Sequence, residues 1–261
     1  MASTLIKVIK EGFGTWQKNL NICLPFVFSS ILTFVVAIIV LGCAALLTGA
    51  SLFDSRPYIS RINELPLLLS IGAVILILIL GLIINAFFVA GAIGMAKEAM
   101  EDARTSLSVM TVYGRRKFAS LLFANIIVGF ILLAGLIFII LGRLSILPNM
   151  AALKLIALAY VVIVSIMFAL APFAVVIGDF SAVDGVKKGF KIFRAHKLDV
   201  FLLGFIVLFI GLVVGFITDF IPHIGLLVNI LVSTVIILPL TVLWWSKLYM
   251  CVTTPRKSYS W

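Results

Sequence analysis

Charge and acid–base chemistry are what this sequence has least of. Charged residues make up 11% of its 261 positions, against about 25% in ordinary soluble domains. Two histidines and 10 carboxylates leave little for proton transfer. There is no HExxH, no GxSxG, no phosphate-cradling GxxxxGK[ST] and no paired-carboxylate run in an apolar stretch, which argues against the commonest protease, hydrolase and P-loop chemistries. The sequence therefore predicts no catalytic residues, no metal and no cofactor. Cysteine is equally sparse. Cys23, Cys43 and Cys251 form neither a CxxC nor a Cys/His cluster, so zinc and dithiol motifs are absent. They read as small buried apolar residues, Cys251 doubling as a weak acylation candidate.

What is present in excess is hydrophobicity. Apolar residues reach 64%, well above the roughly 45–50% of soluble domains. A membrane-spanning helix needs about 20 consecutive apolar residues, and six windows supply them: Leu24 to Leu47, Leu67 to Met95, Ser120 to Leu141, Ala151 to Ile177, Val200 to Ile217 and Leu226 to Leu248. The expected fold class is all-α, a single integral membrane domain over 1–261 with six transmembrane helices. The first apolar run is longer than a signal peptide's and is preceded by an amphipathic segment, so it reads as a retained span. A net charge of +10 invites nucleic acid as a partner. The cations, however, lie beside spans rather than on a soluble domain, and anionic lipid head groups account for them.

Lysine and arginine are sorted onto alternate connections. One side has Lys7, Lys10 and Lys18, then Lys97, Arg104, Arg115, Arg116 and Lys117, then Lys187, Lys188, Lys191, Arg194 and Lys197, and finally Lys247, Arg256 and Lys257. The other has only Arg56, Arg61, Arg143 and Lys154. The positive-inside rule then places both termini in the cytoplasm, in the plasma membrane. An impermeant thiol reagent applied to intact cells should label a cysteine placed at Ser55 and spare one at Ser258. The reverse pattern contradicts this orientation.

Basic amphipathic stretches precede the odd-numbered spans. In the first, Leu5, Ile9, Phe13, Trp16 and Leu20 share one helical face, with Lys7, Lys10, Glu11, Gly14 and Lys18 opposite. In the third, Val183, Val186, Phe190 and Phe193 form the apolar stripe, while Asp184, Lys187, Lys188, Lys191 and Arg194 face away. Ser181 with Asp184 three residues later predicts that helix's start. Ile9-Lys10-Glu11-Gly12-Phe13 aligns with Val186-Lys187-Lys188-Gly189-Phe190, and Trp16 with Phe193. The middle copy is the most divergent, with Leu107, Met110, Tyr113 and Phe118 as its apolar series and Arg115, Arg116 and Lys117 at the membrane edge. Self-similarity of this kind predicts repeated units. Here these are three copies of an interfacial helix plus a transmembrane hairpin, over 3–95, 104–178 and 181–250.

The run from Pro172 through Asp179, Val183, Val186, Gly189, Phe190, Phe193, Arg194 and His196 resembles the recurring element of a loose group of prokaryotic six-helix integral membrane proteins of unknown function. It is also similar to the membrane domain fused to some glycerophosphodiester phosphodiesterases. The resemblance implies a fold. It implies no phosphodiesterase activity, because the sequence contains no soluble phosphodiesterase domain.

Within the spans, Asn85 and Asn125 are expected to bond to neighbouring helices, and Gly204, Gly211 and Gly215 to line a packing face of span five. Trp16, Trp244, Trp245 and Tyr249 are expected at the cytoplasmic interface. Asp219 and His223, flanking Pro222, and His196 read as solvated. Pro172 and Pro239 predict kinks in spans four and six. Three functions are open to such a chain. The first is a non-enzymatic membrane protein that engages anionic lipid, or a protein partner or second copy, through its basic helices. The second is a small-solute or lipid transporter with a site near the kinks. The third is a membrane-embedded enzyme, which the scarcity of carboxylates and histidines disfavours.

Overall fold

The computed structural model describes residues 2–53, 64–144, 150–222 and 224–253. Ser55, Arg56, Arg61, His223, Arg256, Lys257 and Ser258, and the side chains of Arg143 and Lys154, lie outside the described residues. The rest is helical, with no strand among the described residues. After α1 (Ala2–Lys18) and a 3₁₀ turn at Leu20–Cys23, the spans are α2 (Leu24–Phe53), α3 (Glu64–Glu101) and α4 (Leu107–Leu144). Span four is broken into α5 (Met150–Phe168) and α6 (Ala171–Val176). Helix α7 (Ala182–Ala195) precedes span five, α8 (Lys197–Asp219). Span six comprises α9 (Gly225–Val232), a π-helical segment at Ser233–Ile237 and α10 (Leu238–Thr253). Six segments are thus long and apolar enough to cross a membrane, and the chain is a multi-pass membrane protein.

Both predicted kinks coincide with irregular backbone, each with a chemical cause. Pro172 is the second residue of α6, where its missing N–H breaks no intrahelical bond. The helix before it ends in a tightened turn, Ala169 N donating to Ile166 O at 3.3 Å. Pro239 cannot donate to the carbonyl four residues back, that of Val235. Cys23 supplies the missing donor, its Sγ lying 3.0 Å from Val235 O. Thr234 Oγ1 donates to Ile230 O at 2.6 Å and lies 3.5 Å from Ser30 Oγ. In hydrocarbon each freed backbone group must find a partner within the protein, and here span one supplies it. The cysteines are not uniformly buried apolar residues: Cys23 is buried and hydrogen-bonded, whereas Cys43 and Cys251 are exposed.

The spans close into a ring. Each packs on the next in sequence, α2–α3–α4–α5–α8–α9, and α2 returns to the π segment of span six. The buried core gathers at one end, where the basic residues cluster. It includes Ile93, Met95, Leu121, Leu170, Val175, Leu203, Leu243 and Leu248. Towards the other end Phe34, Leu46, Leu78, Phe130, Leu158 and Leu227 are exposed, the apolar surface that hydrocarbon covers. At the basic end α10 packs against α1, α3, α6 and α8. Trp244, Trp245 and Tyr249 are buried there. They are core residues, and the expectation that they mark an interface is corrected.

The middle amphipathic stretch is not a separate helix. Leu107 to Phe118 are the first turns of α4, one continuous run of 38 residues. At 1.5 Å per residue such a helix is about 57 Å long, well beyond the roughly 30 Å hydrocarbon thickness, and its first turns pack beside the equally long α3, Met110 against Gly91 and Tyr113 against Gly94.

Candidate functional site

Around the basic end, α1 and α7 form a collar whose apolar stripes are divided between protein and surroundings. Gly12 rests on Trp244: a Cβ there would lie 2.5 Å from the indole Cδ1. Trp244 Nε1 donates to Ile9 O at 3.2 Å. Leu5 and Val8 are buried beside this contact, while Ile6, Phe13 and Leu20 remain exposed as a ridge next to Lys10. Helix α7 repeats the arrangement. Its start is capped as expected, Asp184 N donating to Ser181 Oγ at 3.3 Å. Gly185, Val186, Gly189 and Ile192 are buried, and a Cβ on Gly189 would meet Ala171 N at 2.7 Å and Ala171 Cα at 2.8 Å. Val183 is exposed, as are Lys187, Lys191 and Arg194. Phe190 is half-buried between Phe168 and Phe193, at 5.7 and 6.5 Å between ring centroids. Lys188 Nζ sits 5.7 Å over the Phe180 ring.

Gly185 and Gly189, spaced four apart, are thus among the close helix–helix glycines, a pattern as visible in the sequence as the one at Gly211 and Gly215. Gly204 does pack, a Cβ there meeting Ile166 Cγ1 at 2.9 Å. A Cβ on Gly211 would meet nothing within 4 Å, and one on Gly215 only Asn229 Nδ2 at 4.0 Å. A Cβ on Gly114, in the middle unit, would lie 2.9 Å from the Phe87 ring of span two. Asn85 is exposed, and Asn125 lines an apolar crevice of about 380 Å³ between α3 and α4. Neither amide makes an interhelical hydrogen bond among the described residues, so that expectation is corrected as well.

Two carboxylates clasp the collar to the spans. Glu11 accepts from Lys247 of α10 at 2.7 Å and lies 3.7 Å from Lys7. Asp179, at the α6–α7 corner with φ 59°, accepts from Arg116 Nη2 at 3.0 Å and pairs with Lys117. Lys117 is 8% exposed. It is a buried structural cation, correcting the expectation that it faces lipid, and Arg116 is shared with Asp179. Arg115 is exposed, as are Lys7 and Lys18, and Trp16 is half-buried with its Nε1 unpartnered. Sequence reading also missed Asn19. It donates to Thr15 O and Ala103 O and accepts from Thr105 N, each at 3.2 Å, closing one wall of a polar pocket of about 360 Å³. Among the described residues no group of His, Cys, Asp and Glu could hold a metal.

Hydrogen bonding from Lys247 holds the Glu11 carboxyl below its usual range, and Lys117 does the same for Asp179, partial burial opposing both. A carboxylate whose folded value is depressed adds stability above its ordinary value, about 4, and loses it as pH falls through the depressed one. Acidification below about pH 4 should therefore lower the melting temperature in detergent. Glu11→Gln should blunt that acid sensitivity while melting lower at neutral pH. An unchanged acid limb in the variant contradicts the clasp.

No curated protein and no solved structure matches the chain. A family model matches residues 30–248, which reaches from within span one to within span six, takes in α7 and leaves α1 outside. The chain belongs to the membrane family described as Domain of unknown function (DUF7847).

Proposed function

We propose that this is a non-enzymatic plasma-membrane protein, both termini cytoplasmic, whose basic collar engages anionic lipid. The observation that carries this reading is the pairing of exposed apolar and cationic side chains on the collar's outward edges. Ile6 and Phe13 stand beside Lys10 on α1, and Val183 stands beside Lys187, Lys191 and Arg194 on α7. Side chains so arranged suit the head-group boundary, where apolar groups enter the acyl region and cations meet phosphates. The test is whether anionic-lipid enrichment around the full chain disappears when the α7 lysines are neutralised.

The threefold architecture belongs to the same reading. Gly12 meets span six, Gly114 meets span two and Gly189 meets span four, so each of the three units docks by one glycine onto an even-numbered span. The likeness to the membrane domain fused to some phosphodiesterases rests on the Pro172 to His196 run and concerns architecture alone. A second reading, a lipid or small-solute transporter, draws on the broken span four and the π segment of span six. Such discontinuities recur at transport sites.

A further inference from the structure

Charge does not balance where α4 meets the α6–α7 corner. Arg116 and Lys117 both pair with the single carboxylate of Asp179, and no second acidic group pairs with either among the described residues. The Lys117 side chain is 10% exposed, so its charge is committed to Asp179, because a buried cation left alone is costly. Arg116 differs. Its side chain is 66% exposed, and it gives Asp179 one guanidinium nitrogen, at 3.0 Å. The other N–H groups of the five-donor fork remain available. Lys97, from the end of α3, adds a third cation whose field reaches Asp179. Cations from two helices thus bring a net positive charge to one corner of the basic end, with the arginine held in place by a brace.

We propose that this corner binds a phosphate group, with Arg116 as its main ligand, Lys97 as a supporting cation, and the Asp179–Lys117 pair as the brace that positions Arg116. The phosphate could come from the head group of an anionic phospholipid or from free phosphate. Guanidinium forks match phosphate oxygens in geometry as well as charge, and basic pockets between spanning helices take up anionic head groups. As a lipid site it rests on the reading that the basic end faces an anionic leaflet. It is distinct from the outward edges of α1 and α7.

The experiment uses the full chain in nanodiscs of phosphatidylcholine alone and of phosphatidylcholine with phosphatidylglycerol, reading the melting temperature in each. Wild type should melt higher with phosphatidylglycerol. Arg116→Gln should lose more than half of that difference, and Arg116→Lys should restore only part of it. A Lys187→Gln/Lys191→Gln variant should keep the Arg116-dependent part. Loss in the arginine variant alone speaks to this corner, and loss in the lysine variant alone to the α7 edge. Inorganic phosphate added to the detergent-solubilised protein separates the sources. An Arg116-dependent rise at millimolar phosphate assigns free phosphate, and no rise assigns the lipid head group. A full wild-type phosphatidylglycerol effect in Arg116→Gln overturns the site. Should that variant fail to fold, Arg116→Lys decides: it should show a smaller phosphatidylglycerol effect than wild type, and a full wild-type effect overturns the site too.

Discussion

Gly189→Ala should lower the melting temperature of the detergent-solubilised protein, although glycine to alanine inside a helix ordinarily raises it. The ordinary gain is about 1 kcal/mol, from helix propensity. At Gly189 the added Cβ would lie 2.7 and 2.8 Å from the N and Cα of Ala171 and 3.1 Å from the carbonyl carbon of Leu170. These are backbone atoms at the start of α6 and cannot swing aside as a side-chain tip can. Overpacking costs roughly 1–3 kcal/mol, enough to reverse the sign, and Gly189→Leu should prevent α7 from docking altogether. Two controls bracket the argument. Gly14, on the open face of α1, has nothing within 4 Å, so Gly14→Ala should melt at the same temperature or slightly higher. Gly211 is equally open, so Gly211→Leu should leave melting unchanged. A stabilised Gly189→Ala, or a Gly211→Leu that melts much lower, contradicts the packing described.

The contrast between those glycines shows what was legible in the sequence. The six spans were readable because an apolar run of membrane length has few other uses, and the start of α7 because Ser181 and Asp184 have a local capping geometry. The kinks were readable because proline lacks an N–H wherever it stands. The division of each apolar stripe was not. Val186, which docks on protein, and Val183, which does not, are chemically the same residue. In a membrane protein apolarity does not separate core from surface, since hydrocarbon and protein interior both accept it. Gly185/Gly189 and Gly211/Gly215 likewise share one spacing, and only the neighbouring helix's path decides which pair is filled. The clasps were hidden for a different reason: Lys117 and Asp179 are far apart in sequence, and nothing local to either announces the other. The buried Trp244 was misplaced because tryptophan at a span's end suits an interface as well as a core.

Neutralising Lys187, Lys188 and Lys191 together to glutamine should weaken anionic-lipid engagement strongly while leaving the six spans inserted. Each Lys or Arg near an anionic surface contributes about 1 kcal/mol. Three together approach 3 kcal/mol, on the order of a hundredfold in affinity. The contributions are not equal, because Lys188 is partly occupied over Phe180 while Lys187 and Lys191 are exposed. The Lys187→Gln/Lys191→Gln variant should therefore carry most of the loss. None of the three pairs with a carboxylate among the described residues, so folding should survive and the variant should still purify as a helical, monodisperse protein. If the triple variant binds anionic lipid as wild type does, these lysines set topology and nothing more.

The most direct measurement is the composition of lipid retained by the full chain after reconstitution into an equimolar mixture of phosphatidylcholine and phosphatidylglycerol, quantified by mass spectrometry of the purified complex. Wild type should hold phosphatidylglycerol in excess of the bulk mixture at low salt. The excess should shrink as salt is raised, because the attraction is screened, and should fall most of the way to the bulk ratio in the triple lysine variant. A wild-type lipid shell that matches the bulk ratio at low salt would contradict the account.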